Sequence, residues 1–538
     1  MLRAASALGG TFWPGAVATM LGEDVASVSR EIARLVDAEL VEPRNGGRFP
    51  GEREHAFRHG VAREAAYAML TAEDRASAHR RAAQWLDAHG EPDAGVIAYH
   101  HEAGGRPDRA VSCWLKAAEA ALEAIDLERA ASCADRGLAG GAEGHLRGVL
   151  LLRRAQAHSW LGDQQKALDA AREAKALLAT GSDEAAVVVA EASLSALRLG
   201  RTEEVVALAR EASGWLRGQS TPEPVLVQAA RVATALFVSE RPDLVRLGQE
   251  LLSQIEEHAS HLEDDRALRP RVLAARVRAP EVAERPEAQA LLWASLAGAM
   301  EEVGDLRTAI VVRAGAELML WEIGDRDGCV ERLRALVGVA EQLGHGYVAS
   351  AAMHTLGMVL VDQGDLEAGM AIQANAVDVY TRGDRRMEAA SRMTLAIALK
   401  RRGWLPAAEH EAKTAVALAE PFPGVASAAN AILADILVTT DPAAALAAST
   451  TAYELLEAIG GVMEWGEALV RRVHAEVLIA HGQIDEARDV IARARDRLLR
   501  RAGTFSDPDR RAAYLNRVTE HVRTLELADQ WLDRDTIT

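Results

Sequence analysis

The sequence predicts an all-α fold, a helical-repeat superhelix with a small mixed module at its start, on three observations. A turn pattern recurs along most of the 538 residues: Gly162-Asp163 before Ala167, Gly304-Asp305 before Ala309, and Gly364-Asp365 before Gly369. Further copies precede Ala130, Val205, Ala408, Ala445 and Ala487. Within the two runs Ala130 to Val205 and Gly369 to Ala487 the step is nearly constant, from 37 residues (Ala130 to Ala167) to 42 (Ala445 to Ala487). A steady period of that size marks a repeat array. The composition agrees: 49% of residues are hydrophobic and only 4% aromatic, with Ala and Leu dominant. Small apolar helix formers suit closely packed helices.

Residues 1–72 read differently from the rest. Pro14–Leu21 is a short helix with Pro in its first turn. Asp24 can cap a second helix, in which Val25, Val28, Ile32, Leu35 and Val36 make one apolar face. Two extended runs follow, Leu40–Glu42 and Glu54–Arg58, joined across Asn45-Gly46-Gly47. Helix, helix and a two-stranded hairpin is the order of a winged helix. Residues 73–105 read as a helical bridge. Repeat-like helix pairs fill 106–258 and 291–500, and the prolines at 270, 280 and 286 predict a break over 259–290. The array restarts at a helix over Glu287–Val303. Residues 501–538 read as a C-terminal cap, a single helix over Pro508–Leu532.

Within each pair the small residue has a partner seven positions on: Ala167 with Ala174, Ala309 with Ala316, Gly369 with Ala376, Ala408 with Ala415, Ala445 with Ala452, and Ala487 with Ala494. Seven residues is about two helical turns, so both fall on one face. The glycine can take the left-handed conformation that ends the first helix. The aspartate accepts hydrogen bonds from the free N–H groups of the second. This arrangement resembles the tetratricopeptide repeat, whose second helix carries small residues where it meets the first. The resemblance spans residues 106–500, with a period somewhat longer than the family's ~34. It implies a partner protein or peptide held in the superhelix groove, which the first helix of each pair would largely form.

Charge and cysteine content narrow the function. The formal charge of −18 opposes nucleic acid and anionic membranes. Three scattered cysteines suit a reducing compartment. No uninterrupted apolar run is long enough to span a bilayer. The reading is a cytoplasmic protein, and the scarcity of Lys beside Arg suits a GC-rich bacterial genome.

The segment Phe57-Arg58-His59-Gly60-Val61-Ala62-Arg63-Glu64-Ala65-Ala66-Tyr67, with the opening Leu2–Trp13, resembles the winged-helix part of bacterial signal-transduction ATPases with numerous domains (the STAND class). In that class an NTPase core precedes the winged helix and tetratricopeptide-like repeats. The assembly is often fused to a Ser/Thr protein kinase or a nucleotide cyclase. The resemblance implies that His59, with Arg58 and Arg63 nearby, could sense a nucleotide's phosphate. It also implies an upstream NTPase as partner. The sequence departs from the class in having no Gly-x-x-x-x-Gly-Lys-Ser/Thr loop to cradle phosphate. It has neither of the kinase signatures His-Arg-Asp and Asp-Phe-Gly. The expectation is therefore the C-terminal half of such an assembly, a non-enzymatic regulatory interaction module without a cofactor. One alternative is a fragment of a kinase or cyclase polypeptide. Another is a winged-helix transcriptional regulator. Against the latter, residues 1–90 carry 11 basic and 12 acidic side chains, and DNA binders concentrate positive charge.

Other groupings carry no metal or nucleophile pattern. His55 and His59 are separated by a strand-to-helix junction. His100-His101-Glu102 is compact, and His258 and His261 could share a face, but neither has a third ligand nearby. Asp264-Asp265 reads as a solvated loop. Most of the ten Trp read as core. Trp404, beside a turn glycine, reads as exposed and partner-facing.

Overall fold

The computed structural model describes residues 1–217, 221–259, 265–344 and 346–532. Among them lie 29 helices and three short strands. The chain forms two compact units: residues 1–157 with 173–179, and residues 158–172 with 180–538.

Unit one begins with helix Leu2–Leu8, strand Thr11–Phe12, and helices Pro14–Leu21 and Val25–Asp37. Asp24 caps the last of these by accepting from the Ser27 N–H at 2.8 Å. Gly22, at φ +73°, ends the one before it in the left-handed region. Strands Val41–Pro43 and His55–Phe57 then form the expected hairpin. The sequence reading missed a third strand: Thr11–Phe12 pairs antiparallel with the outer face of His55–Phe57, putting His55–Phe57 in the middle. Two residues are too few for the alternation that reveals a strand. Phe12, Val17, Val28, Ile32 and Val41 close the core beneath this sheet. Helices Gly60–Ala68, Ala72–Ala88, Ala94–Ala103, Pro107–Glu123 and Leu127–Ala139 follow. Trp13, Phe49 and Trp85 pack ring on ring, with centroids 4.7–5.7 Å apart.

Unit two is an array of helix pairs. They include Asp183–Arg198 with Thr202–Trp215, Gly346–Gln363 with Leu366–Tyr380, Arg385–Arg401 with Leu405–Ala419, Pro423–Leu437 with Pro442–Ala458, and Glu467–Ala480 with Ile484–Ala502. This is the tetratricopeptide-like arrangement. The turn chemistry explains it. Gly304 and Gly364 sit at φ +74° and +94°. Asp305, Asp365 and Asp441 each accept a hydrogen bond from the third N–H of the helix they start. The prolines at 270, 280 and 286 lie in the first turns of helices Leu268–Arg276, Pro280–Ala283 and Pro286–Glu302, where the missing N–H costs no helical bond.

The terminal segment corrects the reading of one long helix. Pro508–Asn516 and Thr519–Leu532 are separate helices. At the break the His521 ring meets the Tyr514 carbonyl at 2.8 Å. These helices also do more than cap. Glu287 accepts from Ser506 N at 2.7 Å and Oγ at 2.8 Å. Arg497 reaches Glu284 at 3.0 Å, and Arg501 donates to the Ala283 carbonyl at 3.0 Å. Residues 497–510 are thereby tied to residues 283–287.

Candidate functional site

Each repeat position singled out in the sequence has a definite place. Ala167, Ala174, Ala309, Ala316, Gly369, Ala376, Ala408, Ala415, Ala445, Ala452, Ala487 and Ala494 are all buried. Gly162, at φ +87°, and Asp163 make the turn before Gln164–Lys175. These positions hold helices together, and of them only Ala494 also lines the unit-two cavity described below.

The phosphate-sensor candidates do not converge. His59 occupies the N-cap position of Gly60–Ala68 without a side-chain capping bond, and it is exposed. Arg58 pairs with Glu39 at 3.0 Å. Arg63 lines a cavity of about 650 Å³ within unit one, together with Tyr67, His79, Tyr99, His100 and Arg136. There the Tyr67 hydroxyl lies 2.9 Å from His79 Nε2, and the two histidine Nδ1 atoms face each other at 2.9 Å. Burial pushes His79 down to about 4 and His100 to about 3. Both rings are therefore neutral at pH 7, one donating and one accepting. Arg136 pairs with Glu102 at 3.0 Å and stacks over Trp114 at 3.9 Å. His55 is buried against Phe12, whereas His59 is exposed. His261 and Asp264 lie outside the described residues. In Val25–Asp37, Arg30 donates to Ser27 and Arg34 pairs with Glu31.

Unit two holds an amphiphilic cavity of about 510 Å³. Its wall comes from the C-terminal parts of four helices, Leu306–Glu322, Gly346–Gln363, Arg385–Arg401 and Pro423–Leu437. The start of Glu467–Ala480 and the terminal helices complete it. The part played by residues 494–524 was not foreseen, because nothing in a local pattern reports a contact across 200 residues.

The wall is charged and ordered. Asp362 accepts from Trp321 Nε1 at 3.0 Å and Thr519 Oγ1 at 3.3 Å, and pairs with Arg326 at 2.9 Å. Lys400 pairs with Asp435 at 2.6 Å. Glu467 is shared by three guanidinium groups: Arg497 Nη2 at 3.2 Å, Arg501 at 3.1 Å and Arg471 at 3.5 Å. Glu322, the last residue of Leu306–Glu322, is pushed up to about 7 by burial and by the nearby carboxylate of Asp362. Tyr514 is buried, and its hydroxyl makes no hydrogen bond among the described residues. Trp404 stands apart, 53% exposed, on the outside of its pair.

A second polar group, which includes the cavity-lining Glu464, pins unit two internally. Asp384 caps Arg385–Arg401, accepts from the Tyr347 hydroxyl at 2.5 Å and lies 3.8 Å from Arg198. Glu240 accepts from the Glu464 N–H at 2.7 Å, and Glu464 pairs with Arg386. Burial pushes Glu240 up to about 7.

Among the described residues no helix is long and apolar enough to cross a membrane. No protein-family description and no curated protein matches the sequence. Three solved structures that resemble the chain are distant. The Cut9–Hcn1 hetero-tetramer of APC/C aligns at 14% identity and TM-score 0.42, over 87% of this chain and 98% of that one. A Rap protein complexed with Competence and Sporulation Factor aligns at 14% and 0.44, over 65% and 99%. Yeast Tom70 aligns at 12% and 0.33, over 84% and 98%.

Proposed function

We propose that this chain is a non-enzymatic regulatory interaction module that senses a partner or ligand in the cavity of unit two. The observation that carries this reading is the cavity itself. Four helices present their C-terminal parts to one space that is walled by ordered ion pairs and apolar side chains, the composition of a small-molecule or peptide site. In this reading the helix–hairpin module of residues 1–72 is a winged helix. It passes the binding event to a signalling NTPase or kinase encoded upstream or on another chain. The three free cysteines suit a cytoplasmic location.

Two measurements test the proposal. Titration of the purified chain with Mg²⁺·ATP by calorimetry is expected to give no saturable heat; tight binding would overturn the non-enzymatic reading. The coding sequence directly upstream is expected to hold an in-frame phosphate-binding loop. An unrelated gene with its own stop would remove the case for an NTPase encoded in the same frame.

A further inference from the structure

We infer that the unit-two cavity takes an organic acid with an apolar body, and that Tyr514 and Arg501 anchor its carboxylate. This rests on the sensing role proposed above and names the class of ligand.

The first support is a local reversal of charge. The chain as a whole has 61 basic and 79 acidic residues. The cavity wall has eight Arg or Lys side chains against six Asp or Glu. In an acidic protein that local excess of cations favours an anion.

The second support is unspent donors. The Tyr514 hydroxyl and Arg501 Nε are buried and make no hydrogen bond among the described residues. Tyr514 is 2% exposed. Buried polar atoms are nearly always paired. Two unspent donors on residues that line one cavity call for another acceptor. A guanidinium and a phenol together suit an oxyanion, because a charged acceptor makes the stronger bond.

The third support is the surroundings of Glu322. The charged groups facing it are Asp362 and Arg326, Arg501 from Ile484–Ala502, and Glu520 from Thr519–Leu532, with Tyr514 close by. A protonated Glu322 offers no repulsion to an entering carboxylate, and it can donate to one. Ionised, it opposes entry. Binding should therefore weaken as pH rises through about 7.

Size and polarity set the rest of the ligand. Leu318, Met358, Ile397, Ile432 and Leu469 supply an apolar wall. A volume of about 510 Å³ suits a fatty acid of medium length or a peptide of a few apolar residues with a free C-terminus. Both present a carboxylate on an apolar body.

The test uses two matched pairs on the full chain by calorimetry: decanoate against decanol, and N-acetyl-trileucine against its C-terminal amide. At least one carboxylate is expected to bind about tenfold tighter than its neutral partner, and tighter at pH 6 than at pH 8. The pair that responds distinguishes lipid-like acid from peptide. Tyr514→Phe is expected to weaken that carboxylate several-fold while leaving the melting temperature unchanged or raised, since the hydroxyl it removes has no partner. Equal binding of acid and neutral forms, or an unaltered affinity in Tyr514→Phe, would overturn the anchor while leaving the sensing role intact. Binding by none of the four probes would overturn the ligand class. Tight ATP binding would instead overturn the role on which it rests.

Discussion

Gly369 shows how much a single methyl decides. Most of its counterparts in other pairs are alanine, so an Ala there fits the pattern. The local packing disagrees: a Cβ at Gly369 would lie 2.6 Å from Val361 Cγ2 and 3.3 Å from the Gly357 carbonyl. Gly369→Ala is therefore expected to destabilise by about 1–3 kcal/mol, the ordinary range for overpacking. Urea unfolding measures it, and an unchanged midpoint would sink the argument. Asp384 and Asp441 make a similar contrast. Both start helices by accepting a backbone N–H. Asp441 does only that at an exposed turn, so Asp441→Ala should cost about 1 kcal/mol. Asp384 also holds Tyr347 and faces Arg198, and its removal leaves a buried hydroxyl without its acceptor and a buried cation without its nearby carboxylate. Asp384→Ala should cost roughly 3–5 kcal/mol. Equal costs for the two variants would mean that the buried network contributes nothing beyond the cap.

At the scale of elements, the sequence was most legible where period and turn chemistry agree. The turns read at Gly304-Asp305, at Gly364-Asp365 and before Ala445 meet helices that start at Leu306, Leu366 and Pro442 in the structure. Glycine stops, aspartate starts and small residues are local signals, and a helix needs only local hydrogen bonds to be specified. Strand Thr11–Phe12 escaped because its partner lies more than 40 residues away and it has no period of its own. The break between Pro508–Asn516 and Thr519–Leu532 escaped for a different reason. No glycine or proline marks it; it goes with the contact between the Tyr514 carbonyl and the His521 ring, which belongs to tertiary packing. The candidate site divides the same way. Its four wall helices lie within the run read as repeats. Tyr514, Arg501 and Trp465 reach it from the far end of the chain, and their spacing carries no sign of it.

Across the whole molecule, buried titratable groups set how stability responds to pH, and two sets in unit two act with opposite sign. Burial pushes His354, His474 and His521 down to about 4. Their ordinary value is 6.5, so between those values the unfolded chain binds more protons. Stability from the histidines is full above 6.5 and is lost as pH falls toward 4. Glu240 and Glu322 are raised to about 7 from an ordinary 4.5. Over that window the folded chain binds more protons, so their contribution falls as pH rises from 4.5 through 7. In the acid range three histidines outweigh two glutamates; above about pH 6.5 only the glutamates still change. Unit two should therefore be most stable near pH 6.5, with a limb falling on either side. Glu240→Gln or Glu322→Gln should flatten the alkaline limb and leave the acid limb in place. Urea unfolding at pH 5, 6.5 and 8 measures both limbs. Stability that keeps rising to pH 8, or a Glu322→Gln chain with an unaltered alkaline limb, would mean that Glu322 is already ionised at neutral pH. The cavity wall would then carry one more fixed negative charge, and a carboxylate would meet it at every pH.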